Sequence, residues 1–149
     1  MNQVNSTCEL CSSPGGALLI NTPDWRIIRV TDPVYPGFCR VVWNRHVAEM
    51  TDLGYRDQLV LMSVVLVVEE TIRDLFNPDK INLASLGNVV PHLHWHIIPR
   101  WLDDKHFPEP IWGNVHNPEP ICRPVVTDEI LLEALLNRLR TSQIDIGEE

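Results

Sequence analysis

Nine residues constrain this chain more than any others: His92-Leu93-His94-Trp95-His96-Ile97-Ile98-Pro99-Arg100. Histidines alternating with bulky apolar residues, then two isoleucines, predict a β-strand, because strand side chains point to opposite faces with period 2. The three imidazoles then share one face, while Leu93, Trp95 and Ile97 turn to the other and can pack on a core. A buried ring nitrogen needs a partner, and a neutral imidazole near its reference pKa serves as base, nucleophile or metal ligand. A solvated strand face or a row of satisfied core histidines would show the same alternation, but three rings on one face favour a site.

The chain around this strand has the composition of one soluble domain spanning residues 1–149. With 149 residues, 44% hydrophobic and 21% charged, it can bury a true core without disulfides. A formal net charge of -8 disfavours binding to a nucleic-acid polymer, which needs clustered lysine and arginine. A small nucleotide needs only a local set of donors, such as the histidines, Arg100 and backbone amides. Residues 1–7 carry no basic start and no apolar stretch, so no secretory signal is read there, and the apolar run from Leu59 to Val68 is too short to span a bilayer. A cytoplasmic protein without a membrane partner is expected.

Cys8-Glu9-Leu10-Cys11 has the gap that lets two sulfurs reach one tetrahedral metal, but it is only half of such a site, and a pair of free thiols fits the same spacing. Cys39 and Cys122 stand in unrelated contexts and read as buried small apolar residues.

Strands are predicted at Ala17 to Ile20, Trp25 to Val30 and Phe38 to Trp43, with turn residues between them too few for parallel crossovers. A helix capped by Thr51 or Asp52 and stopped by Asn77-Pro78 follows; its valine run would also suit a buried strand, but its length favours helix. Ile81 to Leu86 predicts a strand joined to the histidine strand by a five-residue turn, which brings Asn82 and Asn88 near the imidazoles. A proline-rich arm from 101 onward, with Phe107, Ile111 and Trp112 as anchors, leads to an amphipathic helix from Thr127-Asp128-Glu129 through Leu139. The pattern defines an α+β fold: a mainly antiparallel sheet of about five strands with one long helix and a C-terminal helix.

His-x-His-x-His followed by two apolar residues resembles the signature of the histidine triad (HIT) family, and the resemblance extends from about Cys8 to Arg100. It implies a homodimer and a nucleotide substrate, a purine nucleoside monophosphate conjugate. It casts His94 as a nucleophile that attacks the α-phosphate, forming a nucleotidyl-histidine intermediate. His96 then donates to a nonbridging oxygen, and the His92 backbone holds the far nitrogen of His94. Asn82, Asn88 and Gly87 fall in the phosphate-binding positions, Asp32 in that of a ribose-binding acid, although an Asp before proline is also an ordinary turn residue. Many relatives complete the cysteine pair with two histidines, here His46 and His92, around a structural zinc.

Two positions depart from that pattern. Phe38 stands where the family has the histidine of a Pro-Gly-His sequence, and a phenyl ring carries no proton; Asn88 stands for a longer glutamine. The resemblance ranks hydrolysis of nucleoside phosphoramidates first and of dinucleoside polyphosphates second. A nucleotide-binding regulatory protein of low turnover is a third reading. A hydrolase with one metal on all three triad histidines ranks last, because same-face residues on a strand spread over about 13 Å.

Overall fold

The computed structural model describes residues 5–147. Five strands, β1 (Ala17–Asn21), β2 (Trp25–Arg29), β3 (Cys39–Trp43), β4 (Lys80–Ala84) and β5 (His94–Arg100), make one sheet in the order β1-β2-β3-β5-β4. All neighbours are antiparallel. The helices are α1 (Glu9–Ser12), α2 (Tyr55–Phe76) and α3 (Asp128–Thr141), which completes the α+β architecture that the sequence pattern predicts. Both edges of β5 are therefore hydrogen-bonded, and the histidine strand is held on two sides.

Alternation divides the sheet chemically. Cys39, Val41, Trp43, Trp95 and Ile97 face α2 and α3, joining Leu61, Val64, Val65, Val68, Ile72, Leu131, Leu135 and Leu139 in the main core. On the opposite face lie Ile28 and Val42 under Cys8 and Leu10, and beside them Tyr35, Phe38 and Ile98 under Ile111 of the arm. The valine run resolves as helix because the buried residues recur every three or four positions, which places them on one side of α2.

Helix boundaries follow local chemistry. Thr51 and Asp52 do not cap α2; they lie in a 3-10 turn, Met50–Asp52, where the Asp52 carboxylate accepts from the Glu49 amide at 3.0 Å, and α2 starts at Tyr55. At the other end Asn77 takes a left-handed φ of 45° ahead of Pro78, which stops the helix at Phe76 as predicted. The Thr127 hydroxyl accepts from the Ile130 amide at 3.4 Å and opens α3.

Three further expectations change. His92 lies just outside β5: ladder pairing begins with His94 against Val42, and the His92 amide donates instead to the Val90 carbonyl at 2.8 Å. The connection from β4 to β5 covers 85–93, longer than the five-residue turn, because neither strand pairs beyond Ala84 and His94. Cys39 is buried as expected and burial pushes its thiol up to about 12, whereas Cys122 is exposed, since the stretch leading into α3 runs over the surface. Among the described residues no helix is long and apolar enough to cross a membrane.

Candidate active site

His94 and His96 point from β5 into one cavity of about 470 Å³, whose wall also contains Arg40, Gly87, Asn88, Val90 and Trp112. Their rings meet edge to face with centroids 4.8 Å apart. Backbone and neighbours give them opposite tautomers. The His94 Nδ1–H donates to the His92 carbonyl at 2.5 Å, which leaves Nε2 with its lone pair free. His96 Nδ1 accepts from the Nε–H of Arg40 at 3.3 Å, which puts the ring proton on Nε2. Burial pushes both rings toward the neutral form. His94 lies below the usual histidine range, with the Arg40 charge adding to the effect against the His92 carbonyl bond. His96 is pushed down to about 3 by burial and by the charges of His94 and Arg40. One ring thus offers a nucleophilic nitrogen and the next a hydrogen-bond donor, side by side.

The loop before β5 supplies Gly87 and Asn88. Gly87 has φ 69°, a conformation that suits glycine, and Asn88 is exposed at the cavity rim. Asn82 pairs with Ile98 across β4 and β5 and lines an adjoining open cavity of about 900 Å³, which shares Leu86 and Trp112 with the first.

Arg100 and Asp32 do not reach the histidine cavity. Arg100 is 1% exposed, and its guanidinium donates to both Asp104 oxygens (2.8 and 3.1 Å), to the Glu109 carbonyl (2.6 Å) and to Asn82 Oδ1 (2.7 Å). Its contribution is to turn the Asn82 amide, so that Nδ2 is the end left without a protein acceptor among the described residues. Asp32 accepts from the amides of Val34 (2.9 Å) and Tyr35 (3.3 Å), an ordinary turn arrangement, and lines neither cavity.

Asp104 ties the arm down. Besides Arg100 it accepts from the amides of Trp101, His106 and Phe107 and from the Tyr35 hydroxyl, at 2.8 to 3.1 Å. Burial alone would raise its carboxyl, but the Arg100 bond and those amides outweigh it and hold it at about 2. Its stabilising effect is therefore complete above the unfolded value of about 3.9 and is lost as pH falls toward 2. Asp104→Ala leaves Arg100 buried without its carboxylate, and a urea titration is expected to show a loss of about 3–5 kcal/mol.

His92 serves a second cluster. Its Nε2–H donates to the Trp43 carbonyl at 2.6 Å, so its bare Nδ1 faces Cys8 Sγ at 3.4 Å, Cys11 Sγ at 3.5 Å and His46 Nδ1 at 3.2 Å. Cys11 Sγ lies 3.4 Å from His46 Nδ1, and all four atoms fall within 4.8 Å of one another. A tetrahedral zinc with two nitrogens and two sulfurs separates its ligand atoms by about 3.3 to 3.8 Å, so this cluster fits one ion with little rearrangement. Among the described residues it is the one group able to hold a metal; the triad rings do not converge, which sets aside a hydrolytic ion on His92, His94 and His96. Arg26 seats the cysteine turn on the sheet, donating to the carbonyls of Leu10 and Pro14 at 2.7 and 3.1 Å.

Sequence reasoning missed Arg26 and Arg40, strand cations that belong to no motif, and assigned Trp112 only an anchoring role. The Trp112 ring stands edge-on to His96 with centroids 5.1 Å apart, so the arm closes one side of the histidine cavity. The Phe38 ring is 5.8 Å from His96 and supplies no hydrogen bond.

The fold and the paired imidazoles define a histidine-triad protein. The HIT domain model matches residues 15–102, well over half of the chain, and the chain belongs to that family. It is similar to an AP-4-A phosphorylase of Mycobacterium tuberculosis, 31% identical over 88 residues, covering 55% of this chain and 45% of that protein. It is also similar to the asymmetrical bis(5'-nucleosyl)-tetraphosphatase of Schizosaccharomyces pombe, 33% identical over 73 residues, 46% of this chain and 40% of that one. The chain thus spans less than half the length of these curated relatives. Among solved structures, a histidine triad protein from Bradyrhizobium japonicum superposes with a TM-score of 0.70 at 27% identity, covering 91% of this chain and 98% of that one. A Zn-bound histidine triad family protein from Mycobacterium smegmatis shares the fold, with a TM-score of 0.58 at 17% identity and coverage of 92% and 96%.

Proposed function

We propose that this protein hydrolyses or transfers nucleotides at the α-phosphate through a nucleotidyl-His94 intermediate. The observation that carries this reading is the His92 carbonyl bond to His94 Nδ1, which leaves Nε2 free to attack. Nε2 gives its lone pair to phosphorus, the bond from phosphorus to the leaving group breaks, and the leaving group departs with that electron pair. His96 Nε2–H meets the charge that develops on oxygen, while Asn82, Asn88 and the loop at Gly87 add neutral donors. Water then attacks the same phosphorus and gives up a proton to solvent, the bond from phosphorus to Nε2 breaks, and the nucleoside monophosphate leaves as Nε2 recovers its pair.

Dinucleoside polyphosphates come before nucleoside phosphoramidates as substrates. The names of the two curated relatives support this order, reversing the one drawn from resemblance alone. Zinc on Cys8, Cys11, His46 and His92 belongs to the same reading, as the support of the His92 segment rather than a participant in the reaction. A homodimer belongs to it as well: Leu59 and Leu66, one heptad apart on α2, are 52% and 50% exposed and offer an apolar strip for a second copy.

Diadenosine tetraphosphate and adenosine 5'-phosphoramidate, each incubated with the purified chain, provide the test by chromatography of released nucleotide. Adenosine monophosphate is expected from both, faster from the tetraphosphate. Tight nucleotide binding without any release would overturn the enzymatic reading and leave the regulatory one.

A further inference from the structure

We propose that Arg40 is a specificity-determining residue of this site, binding the charged phosphate chain of the leaving group while positioning His96. The inference rests on the reading of the cavity as a nucleotide site and extends it to the class of leaving group.

Arg40 lies directly opposite His96 in the ladder between β3 and β5, so the two side chains rise together on the site face of the sheet. Two anchors hold the guanidinium. Its Nε–H donates to His96 Nδ1 at 3.3 Å, and Nη1 donates to the Gly15 carbonyl at 3.3 Å. The fork lies over the Phe38 ring, 5.6 Å from its centroid, which supports the planar cation without competing for its protons. Nη2 has no protein acceptor among the described residues, and Arg40 is part of the wall of the cavity that His94 and His96 enter.

A fixed guanidinium with free N–H groups matches phosphate oxygens in both charge and shape, and its positive charge persists across the working pH range. Among the residues lining this cavity Arg40 is the cation; Glu9, exposed, is the carboxylate. A leaving group carrying several phosphates therefore gains an ionic contact that an amine or a single small group cannot make. The same side chain compensates for Phe38. His96 needs a donor at Nδ1 to keep its proton on Nε2; the phenyl ring beside it cannot supply one, and Arg40 does.

The test uses the full chain as wild type, Arg40→Gln and Arg40→Lys. Inorganic tripolyphosphate titrated by calorimetry is expected to bind about 30-fold more weakly to Arg40→Gln, with partial recovery in Arg40→Lys. In steady state, kcat/KM falls in Arg40→Gln for both substrates, but about ten-fold further for diadenosine tetraphosphate than for adenosine 5'-phosphoramidate. Nitrogen NMR of His96 is expected to show the proton on Nε2 in the wild type and a mixture of tautomers in both variants, since lysine restores charge but not the Nε–H bond. Equal tripolyphosphate affinity in wild type and Arg40→Gln, or equal losses on the two substrates, would overturn the proposal. If the wild type turns over neither substrate, the enzymatic reading fails, and the tripolyphosphate titration and the His96 spectrum still decide the role of Arg40.

Discussion

A His94→Ala protein is expected to release nucleotide at least about 10³-fold more slowly than the wild type while binding adenosine monophosphate with affinity changed by no more than about five-fold. The size of the loss follows from what the ring does. In the proposed reaction its Nε2 forms the bond to phosphorus, and no neighbour is placed to replace it: His96 has its proton on Nε2, and His92 turns its free nitrogen toward Cys8 and Cys11. Binding is expected to survive because the phosphate donors of the proposed site are other groups that line the cavity, among them Gly87, Asn88 and His96. The pH profile carries a sign. Burial, with the Arg40 charge behind it, holds His94 below the usual histidine value, so the neutral nucleophile persists below pH 6.5. The acid limb of kcat/KM is therefore expected below about 6.5, measured with the tetraphosphate substrate. A His94→Ala protein that retained its turnover would place the chemistry on another residue.

Disrupting the Cys2His2 cluster is expected to have the largest effect on stability. Metal analysis of the purified chain should find one zinc per molecule, and Cys8→Ser should lower the thermal midpoint by roughly 10 °C or more, because metal-binding energy at a structural site is folding energy. The cluster joins α1 to the segment immediately before β5, two parts of the chain with no ladder between them. Cys122→Ser is the control: this thiol is exposed, outside the cluster, and its loss is expected to leave the midpoint within about 1 °C. The catalytic consequence is graded. The His92 carbonyl that holds the His94 proton lies on the same residue as the Nδ1 that faces the cluster, so release of a zinc held there is expected to loosen the proposed nucleophile without removing it. A chain that carries no metal and keeps its midpoint in a strong chelator would refute this account of the cluster.

The alternation of His94, Trp95, His96 and Ile97 was enough to predict a strand with two chemically different faces, and the structure has both. Cys8-x-x-Cys11 marked half of a cluster able to hold a metal, and the turn residues between short strands gave the antiparallel order. These signals are local: each depends on side-chain type at a spacing set by backbone geometry, so a reader of the sequence can see them. The start of α2 was misread because Asp52 satisfies a turn of its own before the helix begins.

Other assignments depended on partners far away in the chain. Arg100 reads as a phosphate ligand beside the triad, yet Asp104 and the Glu109 carbonyl draw it into the interior, where it turns Asn82 instead. Trp112 reaches His96 only because Asp104 and Tyr35 fold the arm back over the sheet. Arg40 carries no motif, and its meaning comes wholly from the register that sets it opposite His96. The sequence by itself determined which residue types alternate on the histidine strand and hence which face could be chemical. Only the tertiary structure decided which nitrogen of His92 and of His96 is free, because a tautomer depends on its hydrogen-bond partners, and those of these two rings are contributed by β3, whereas the partner of His94 is the His92 carbonyl two residues away.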